Sequence, residues 1–524
     1  MSRDVRIPVI DLFAGPGGLG EGFSSFQTEN QEHPFKIALS IEMNPEAHST
    51  LCLRSFFRQF EKGKVPEEYY SLLRREIDTK ALYCAFPEQA ARASSEAWLA
   101  ELGSVDPAAV DDRISRAKVD ASTWVLMGGP PCQAYSIAGR SRNKGVRNYV
   151  PEKDPKQYLY REYLRVIATH WPAVFVMENV KGMLSARLDD KSVFQRIIEN
   201  IKDPLAAIGG RPEPTAVSVQ GHSYRVFSLS TRKLFESSDP MDYVVKCERS
   251  GVPQSRHRVI LLGVRDDLGD VKPGTLAVSA RIASKEVLAG LPRLRGGLSE
   301  TTDSGDAWLN ILDEVKQADW ARSVSGESVL DVVRYMRIVL KKIRLPRADR
   351  GSEFVVCEPR ADYAREWFLD DRLRGVCNHA TRSHLKKDLH RYFYAACFAR
   401  VRRRSPMLAD FPRELLPEHR NVVEALDGSM FADRFRVQLG NSPATTVVSH
   451  IAKDGHYYIH YDPTQCRSLT VREAARLQTF PDNYLFLGPR TEQYRQVGNA
   501  VPPLLAKQIA GIVSALLSEA GEAE

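Results

Sequence analysis

The feature that most constrains this chain is a recurrence of short β-branched apolar runs, each followed by an amphipathic stretch, through its first half. Val9-Ile-Asp-Leu-Phe13, Ile37-Ala-Leu-Ser-Ile41, Trp124-Val-Leu-Met127, Val174-Phe-Val-Met177 and Val259-Ile-Leu-Leu262 are the clearest of them. They predict the strands of an α/β fold with a parallel sheet, and stretches such as Tyr158–His170 and Ser192–Ile208 predict its crossover helices.

The rhythm breaks twice. From about 51 to 121 the chain turns polar and helical and is too long for a simple connection, so it reads as a helical insertion. Beyond about 270 it passes into Gly/Pro punctuation, a helix over Val329–Lys342, and basic clusters at Lys341–Arg344, Lys386–Lys387 and Arg400–Arg404. Near 465 regular structure returns, with helices over Val471–Thr479 and Leu504–Leu517. The expected organisation is one unit from 1–270 plus 465–524, and a second, smaller domain over 271–464.

With 524 residues, 43% of them hydrophobic, the chain can bury more than one core. Its net charge of +7 permits a nucleic-acid partner without requiring one. The eight cysteines include no CxxC pair, which suits reduced thiols better than a disulfide framework. No run reads as the roughly 18–20 apolar residues of a membrane span, and the apolar stretch after Met1 is too short for a signal peptide. A cytoplasmic protein with no membrane partner is expected.

Asp11-Leu-Phe-Ala-Gly15-Pro-Gly17-Gly18-Leu-Gly20 follows the first strand and opens a helix, so backbone there can approach a ligand closely at the carboxyl edge of the sheet. Glu42 ends the next strand, where it can accept hydrogen bonds from ribose hydroxyls. The loop also satisfies GxGxxG at Gly15, Gly17 and Gly20, so on local grounds a nicotinamide dinucleotide fits it too.

Gly128-Gly-Pro-Pro-Cys132 follows another strand, and its paired prolines stiffen the backbone that presents the thiol. A cysteine after a strand is more often a small buried apolar residue than a nucleophile. Val176-Met-Glu178-Asn179-Val180, however, brings a carboxyl group to the same edge, and a thiolate beside an acid suits attack on an aromatic ring.

These residues resemble the DNA cytosine-5 methyltransferase family of bacterial restriction-modification type. The glycine loop is similar to its first motif, Pro131-Cys132-Gln133 to its nucleophile motif and Glu178-Asn179-Val180 to its acid motif. Gln254-Ser-Arg256-His-Arg258 resembles its QxRxR, Arg467–Pro481 its ninth motif and Gln496–Pro503 its last, in the family's order. The likeness covers about 1–265 and 465–524, with a weaker match at Pro443–Val447.

The resemblance implies a doubly wound, Rossmann-like methyltransferase domain binding S-adenosylmethionine, with 271–464 as a target-recognition domain. It implies Cys132 as nucleophile at carbon-6 of a flipped cytosine, Glu178 as the acid at ring nitrogen-3, and Arg258 and Arg256 as groups that hold the base or order the site. Arg140 would belong to a catalytic loop that closes over DNA. Phe13, Gly15, Pro16, Gly17, Gly18, Glu42, Asn499 and Val501 would line the cofactor, and Gln133, Ser136, Asn179, Gln254 and Thr446 the substrate. Double-stranded DNA is the expected partner, a restriction endonuclease the expected functional companion, and a monomer that works on the nucleoid the expected state.

Two points stay open. The family's adenine-contacting acid falls in the 51–121 region, with Asp106, Asp111, Asp112 and Asp120 as candidates. An RNA cytosine methyltransferase would carry the same core. Cys377, His379, His384 and His390 match no standard zinc spacing, so no metal is expected; Arg382, Lys386, Lys387 and Arg391 are candidate phosphate contacts.

Overall fold

The computed structural model describes residues 6–61, 63–119, 121–131, 159–188, 191–208, 221–231, 234, 239–322, 327–418, 432–453 and 455–522. The five expected strands, β1 (Ile7–Leu12), β2 (Phe35–Glu42), β4 (Val125–Gly128), β5 (Val174–Val180) and β8 (His257–Arg265), lie in one sheet with three that the sequence pattern did not reveal, β3 (Ala97–Leu99), β6 (Tyr224–Ser228) and β7 (Val244–Lys246). Their order is β3-β2-β1-β4-β5-β8-β6, with β7 also paired to β8. The first five are mutually parallel, whereas β8 runs antiparallel to β5, with Arg258 opposite Val180 and Ile260 opposite Glu178. The order reverses direction beside β1, which opens a crevice at the carboxyl ends of β1 and β4.

Side chains alternate across this sheet into two cores. Ile10, Leu126, Phe175 and Leu261 face one side, under the helices Pro107–Lys118, α3 (Leu159–His170) and α4 (Val193–Lys202). Val9, Val125, Val176 and Leu262 face the other, under α1 (Gly18–Ser25) and the C-terminal α7 (Pro503–Glu522). Burial on both faces is why the strands read as continuous apolar runs. In α7, Leu505, Ile509 and Val513 are fully buried, each contributing about 1.5–3 kcal/mol before entropy.

Three expectations shift. The 51–121 stretch is only partly an excursion: α2 (Pro45–Arg58), β3 and the helix Pro107–Lys118 all belong to the doubly wound core. At three residues, β3 is too short to show a pattern. The single helix expected over Ser192–Ile208 ends at Lys202 and restarts at Pro204, whose ring and missing N–H cannot continue it. The stretch Arg490–Glu522 is long and apolar enough to span a membrane by length and composition alone, but 67% of its most apolar window is buried in this fold.

What remains of the excursion is three short helices, Glu67–Leu73, Thr79–Ala85 and Pro87–Glu96. Their aromatic cluster, with Tyr69, Tyr70 and Phe86, packs against Leu373, Cys377 and Leu485. The Tyr70 hydroxyl donates to the Asp370 carboxylate at 2.8 Å, and Arg372 donates to the Val65 carbonyl at 2.6 Å. The excursion thus braces the chain's second half, including the antiparallel pair Gly351–Val356 and Gly375–Ala380.

Candidate active site

The described residues at the ends of β1, β2, β4 and β5 meet at one edge of the sheet. Past β1, Phe13, Gly15 and Gly17 hold φ of 59°, 59° and 95°, and the loop turns into α1. A Cβ on Gly18 would collide with the Val501 carbonyl, so only glycine lets the last segment of the chain close against this loop. Tyr484 pins the loop from outside by donating its hydroxyl to the Pro16 carbonyl.

Glu42 is held from two sides: the Gly15 amide donates to its Oε2 at 2.8 Å and the Asn44 amide to its Oε1 at 2.7 Å. Burial raises its pKa, and those two amides oppose the rise. Space stands open where a side chain on Gly15 would lie. A glycine cradle beside an oriented carboxylate fits a nucleoside-containing cofactor, with Glu42 facing hydroxyls and the cradle facing the remainder. Val501 is buried and Asn499, at the end of α6 (Arg490–Asn499), is exposed, both on the segment that meets the loop. Asp11 beneath the loop is fully buried; burial, opposed by Arg58, holds its pKa well above the usual carboxylate range.

Glu178 leaves β5 beside the loop that leads to Cys132. Arg258, on the neighbouring antiparallel strand, places its Nε 2.8 Å from Glu178 Oε1, with the two side chains 12% and 13% exposed. The arginine also donates to the His257 carbonyl at 2.9 Å, which fixes its fork. On the other side, the Glu178 Oε2 lies 3.0 Å from where a Cβ on Gly129 would stand, so the lack of a side chain there admits the carboxylate. Asn179 is buried and donates to the Pro130 carbonyl at 3.1 Å, tying β5 to the loop that leads from β4, two residues before Cys132. Cys132, Gln133, Ser136 and Arg140 lie outside the described residues.

Gln254, expected to line the substrate, and Arg256, expected to hold the base or order the site, are both closed into protein. Gln254 is fully buried; its amide donates to the Leu477 carbonyl and Gln478, and its oxygen accepts from the Val447 amide at 2.6 Å. Arg256 is 1% exposed and donates to the carbonyls of Val447 at 2.7 Å and Gly498 at 3.3 Å. Burial, with Arg258 nearby, pulls its pKa down to about 9. Both residues order the junction and do not face the crevice. The half-buried Thr446 donates its hydroxyl to the Ser255 carbonyl at 2.7 Å, where Ala444–Thr445 pairs with Gln254–Ser255.

The ninth motif is a buried arginine scaffold around α5 (Val471–Leu477). Arg467 meets Glu473 in a two-pronged pair at 2.7 Å each, Arg472 donates to three backbone carbonyls, and Arg476 clasps Asp482. All three arginines are fully buried. Their spacing carries no sign that they face inward, since arginine is ordinarily a surface residue.

Of the acids considered for adenine, Asp111 pairs with Arg165 and His170, Asp112 pairs with Arg116, and Asp106 caps the helix Pro107–Lys118; Asp120 is outside the described residues. The end of β3 reaches Glu42 directly, through the Ala100 amide to the Glu42 carbonyl at 3.0 Å. That neighbourhood brings Glu101 into the set, which sequence reasoning missed because β3 itself was not visible.

Cys377, His379, His384 and His390 do not converge: His379 bonds to Thr470 and the Pro292 carbonyl, His390 to the Ile311 carbonyl, and the Cys377 thiol to the Leu73 carbonyl. Among the candidate phosphate contacts, Arg391 is buried against Asp388 and the Leu415 carbonyl, while Lys386 and Lys387 pair with Glu314 and Glu418. Arg391 is therefore a packing residue, because a buried, paired guanidinium has no face left for DNA.

The family model for C-5 cytosine-specific DNA methylase matches residues 106–204 and 375–514. The type II methyltransferase M.Bpa9945I of Bacillus paralicheniformis is 32% identical over 97% of this chain and 99% of its own length. The type II methyltransferase M.AgeI of Thalassovita gelatinovora is 27% identical over 97% and 99%. The solved Entamoeba histolytica methyltransferase EhMeth aligns over 98% of each chain at 12% identity, with a TM-score of 0.41. The chain belongs to the C-5 cytosine-specific DNA methylase family.

Proposed function

We propose that the protein flips a cytosine out of duplex DNA, attacks it through Cys132 and methylates its carbon-5 from S-adenosylmethionine. The observation that carries this reading is the Glu178 carboxyl, held at 2.8 Å by Arg258 beside the Gly129–Pro130 turn into Cys132, on the sheet edge that bears the glycine cradle.

The Cys132 thiolate forms a bond to carbon-6 of the ring. Glu178 supplies a proton to ring nitrogen-3, so the displaced electron pair is held as an enamine with nucleophilic carbon-5. S-adenosylmethionine, when bound, supplies an electrophilic methyl group on a sulfonium. Once carbon-5 carries the methyl group, its hydrogen leaves as a proton to water, the carbon-6–sulfur bond breaks to regenerate the thiolate, and the nitrogen-3 proton returns to Glu178. Arg258 keeps the Glu178 carboxyl in one orientation and can donate to the base oxygen with a rigid fork that lysine lacks. Asn179 sets the approach of the Cys132 loop. Phe13, Gly15, Pro16, Gly17, Gly18, Glu42, Asn499 and Val501 hold the cofactor, and the flipped base fills the crevice in place of its partner in the stack.

Residues 271–464 read the target as a DNA-recognition region, and the protein acts as a monomer at a short sequence alongside an endonuclease; the type II methyltransferase names of its relatives support the restriction-modification part of this reading. The test is base-resolution cytosine methylation sequencing of plasmid from a methylation-free bacterial host expressing the chain or Cys132→Ala. One recurrent methylated sequence, seen only with the wild type, is expected; identical maps from both would defeat the reading.

A further inference from the structure

Away from the reaction centre, a cleft of about 640 Å³ opens between the helical excursion, the Gly351–Ala380 hairpin and the N-terminal end of α6. Arg75, Glu353, Arg382, Lys453, Arg490 and Gln493 supply its polar lining.

The charges are unbalanced. Glu353 is the acid of the lining, and its Oε2 already accepts from Arg75 at 3.3 Å, Asn378 at 3.1 Å and Gln493 at 3.2 Å. Arg382, Lys453 and Arg490 have no carboxylate partner among the described residues. Arg382 lies 3.8 Å over the Tyr494 ring and donates one nitrogen to the Ile451 carbonyl, while its buried Nη1 meets no acceptor. Arg490 donates to the Thr381 carbonyl at 2.8 Å, and its buried Nε is likewise unmatched. Within the protein these two guanidiniums are therefore incompletely matched, and neither has a carboxylate among the described residues to neutralise it. The first turn of α6, from Pro489, adds amides and the positive end of the helix dipole.

We propose that this cleft is a phosphate-binding site, occupied by the phosphodiester backbone of the DNA substrate beyond the target base. It rests on duplex DNA being the substrate. Arg382 and Arg490, half-buried and oriented by their carbonyl bonds, grip a phosphate through the parts of their guanidinium groups that line the cleft, and the exposed Lys453 adds charge at the mouth. Arg75 is carried there by the excursion, so the excursion completes the cleft as well as bracing the hairpin.

The experiment compares full-length wild type with Lys453→Gln and Arg382→Gln, each first checked for an unchanged thermal midpoint. Anisotropy measures their binding to a target-containing duplex across a salt series, and calorimetry measures inorganic tripolyphosphate. Loss of one backbone contact should weaken duplex binding about three- to tenfold and flatten the slope of log K against log salt by about 0.9. Tripolyphosphate binding lost in the variants, with duplex binding unchanged, would keep the phosphate site and assign it to a free polyphosphate, overturning the DNA assignment. Wild type that binds tripolyphosphate and no duplex would sink the substrate reading and leave the pocket standing. Variants that match wild type toward both probes would overturn the site itself.

Discussion

Replacing Arg258 with alanine removes the group that orients the acid while leaving the strand that carries it. Its backbone stays paired opposite Val180, because β8 is registered by seven residue pairs to β5 and not by this side chain. What is lost is the 2.8 Å contact to Glu178 in a setting where both side chains are nearly shielded from water. A positioned general acid contributes about 10²–10⁴ in rate. Glu178 would remain present but free to turn, so the smaller end of that range applies: a drop of about 10²-fold, or about 2.7 kcal/mol. Arg258→Lys should recover little, since one ammonium cannot both reach the carboxyl from the Nε position and hold the His257 carbonyl. The assay is single-turnover methyl transfer with excess enzyme and saturating cofactor. Duplex and cofactor affinities should stay within a few-fold of wild type; a single-turnover rate within threefold would refute the orienting role.

Arg467→Met should cost about 3–5 kcal/mol in urea denaturation, because it leaves the Glu473 carboxylate buried without its two-pronged partner; a loss below about 1 kcal/mol would contradict this. Burial holds His379 and His460 at a pKa of about 4 and His384 at about 3, all below 6.5. The unfolded chain therefore binds protons that the folded one refuses, and stability should fall as pH drops from about 6.5 toward 4, by up to about 1.4 kcal/mol per pH unit for each histidine. Urea midpoints across that window check it, and a flat profile would be evidence against neutral burial. Chelation with EDTA should leave the thermal midpoint unchanged, since Cys377, His379 and His390 are each bonded to a different part of the protein; a fall of several degrees would reveal a structural metal.

The catalytic edge was legible because it is built from strand ends. β1, β2, β4, β5 and β8 are buried on both faces, so each is a continuous apolar run, and the residues just past each run must lie at one edge of the sheet or the other. Glu178 and Glu42 could be placed by that rule, whereas Arg258, which precedes its run, was reached only through the likeness of Gln254–Arg258 to QxRxR. The inward-facing polar groups could not. Gln254, Arg256 and the arginines at 467, 472 and 476 look like surface or substrate residues in the sequence. Their burial depends on carbonyls contributed from elsewhere in the chain, such as Val447, Gly498 and Leu294. β3 escaped notice for a different reason: three residues carry no period. The role of the excursion was hidden because its partners, Asp370, Leu373 and Cys377, lie some 300 positions away.

The most direct test of the central claim is covalent trapping with a duplex whose target cytosine carries fluorine at carbon-5. Attack and methyl transfer can proceed on that base, but there is no carbon-5 hydrogen to lose, so the carbon-6–sulfur bond should persist. With S-adenosylmethionine present, the account predicts a denaturation-resistant protein–DNA adduct whose peptide mass maps to Cys132, absent in Cys132→Ala. An adduct at another cysteine, or methylation of ordinary target DNA by Cys132→Ala, would contradict it.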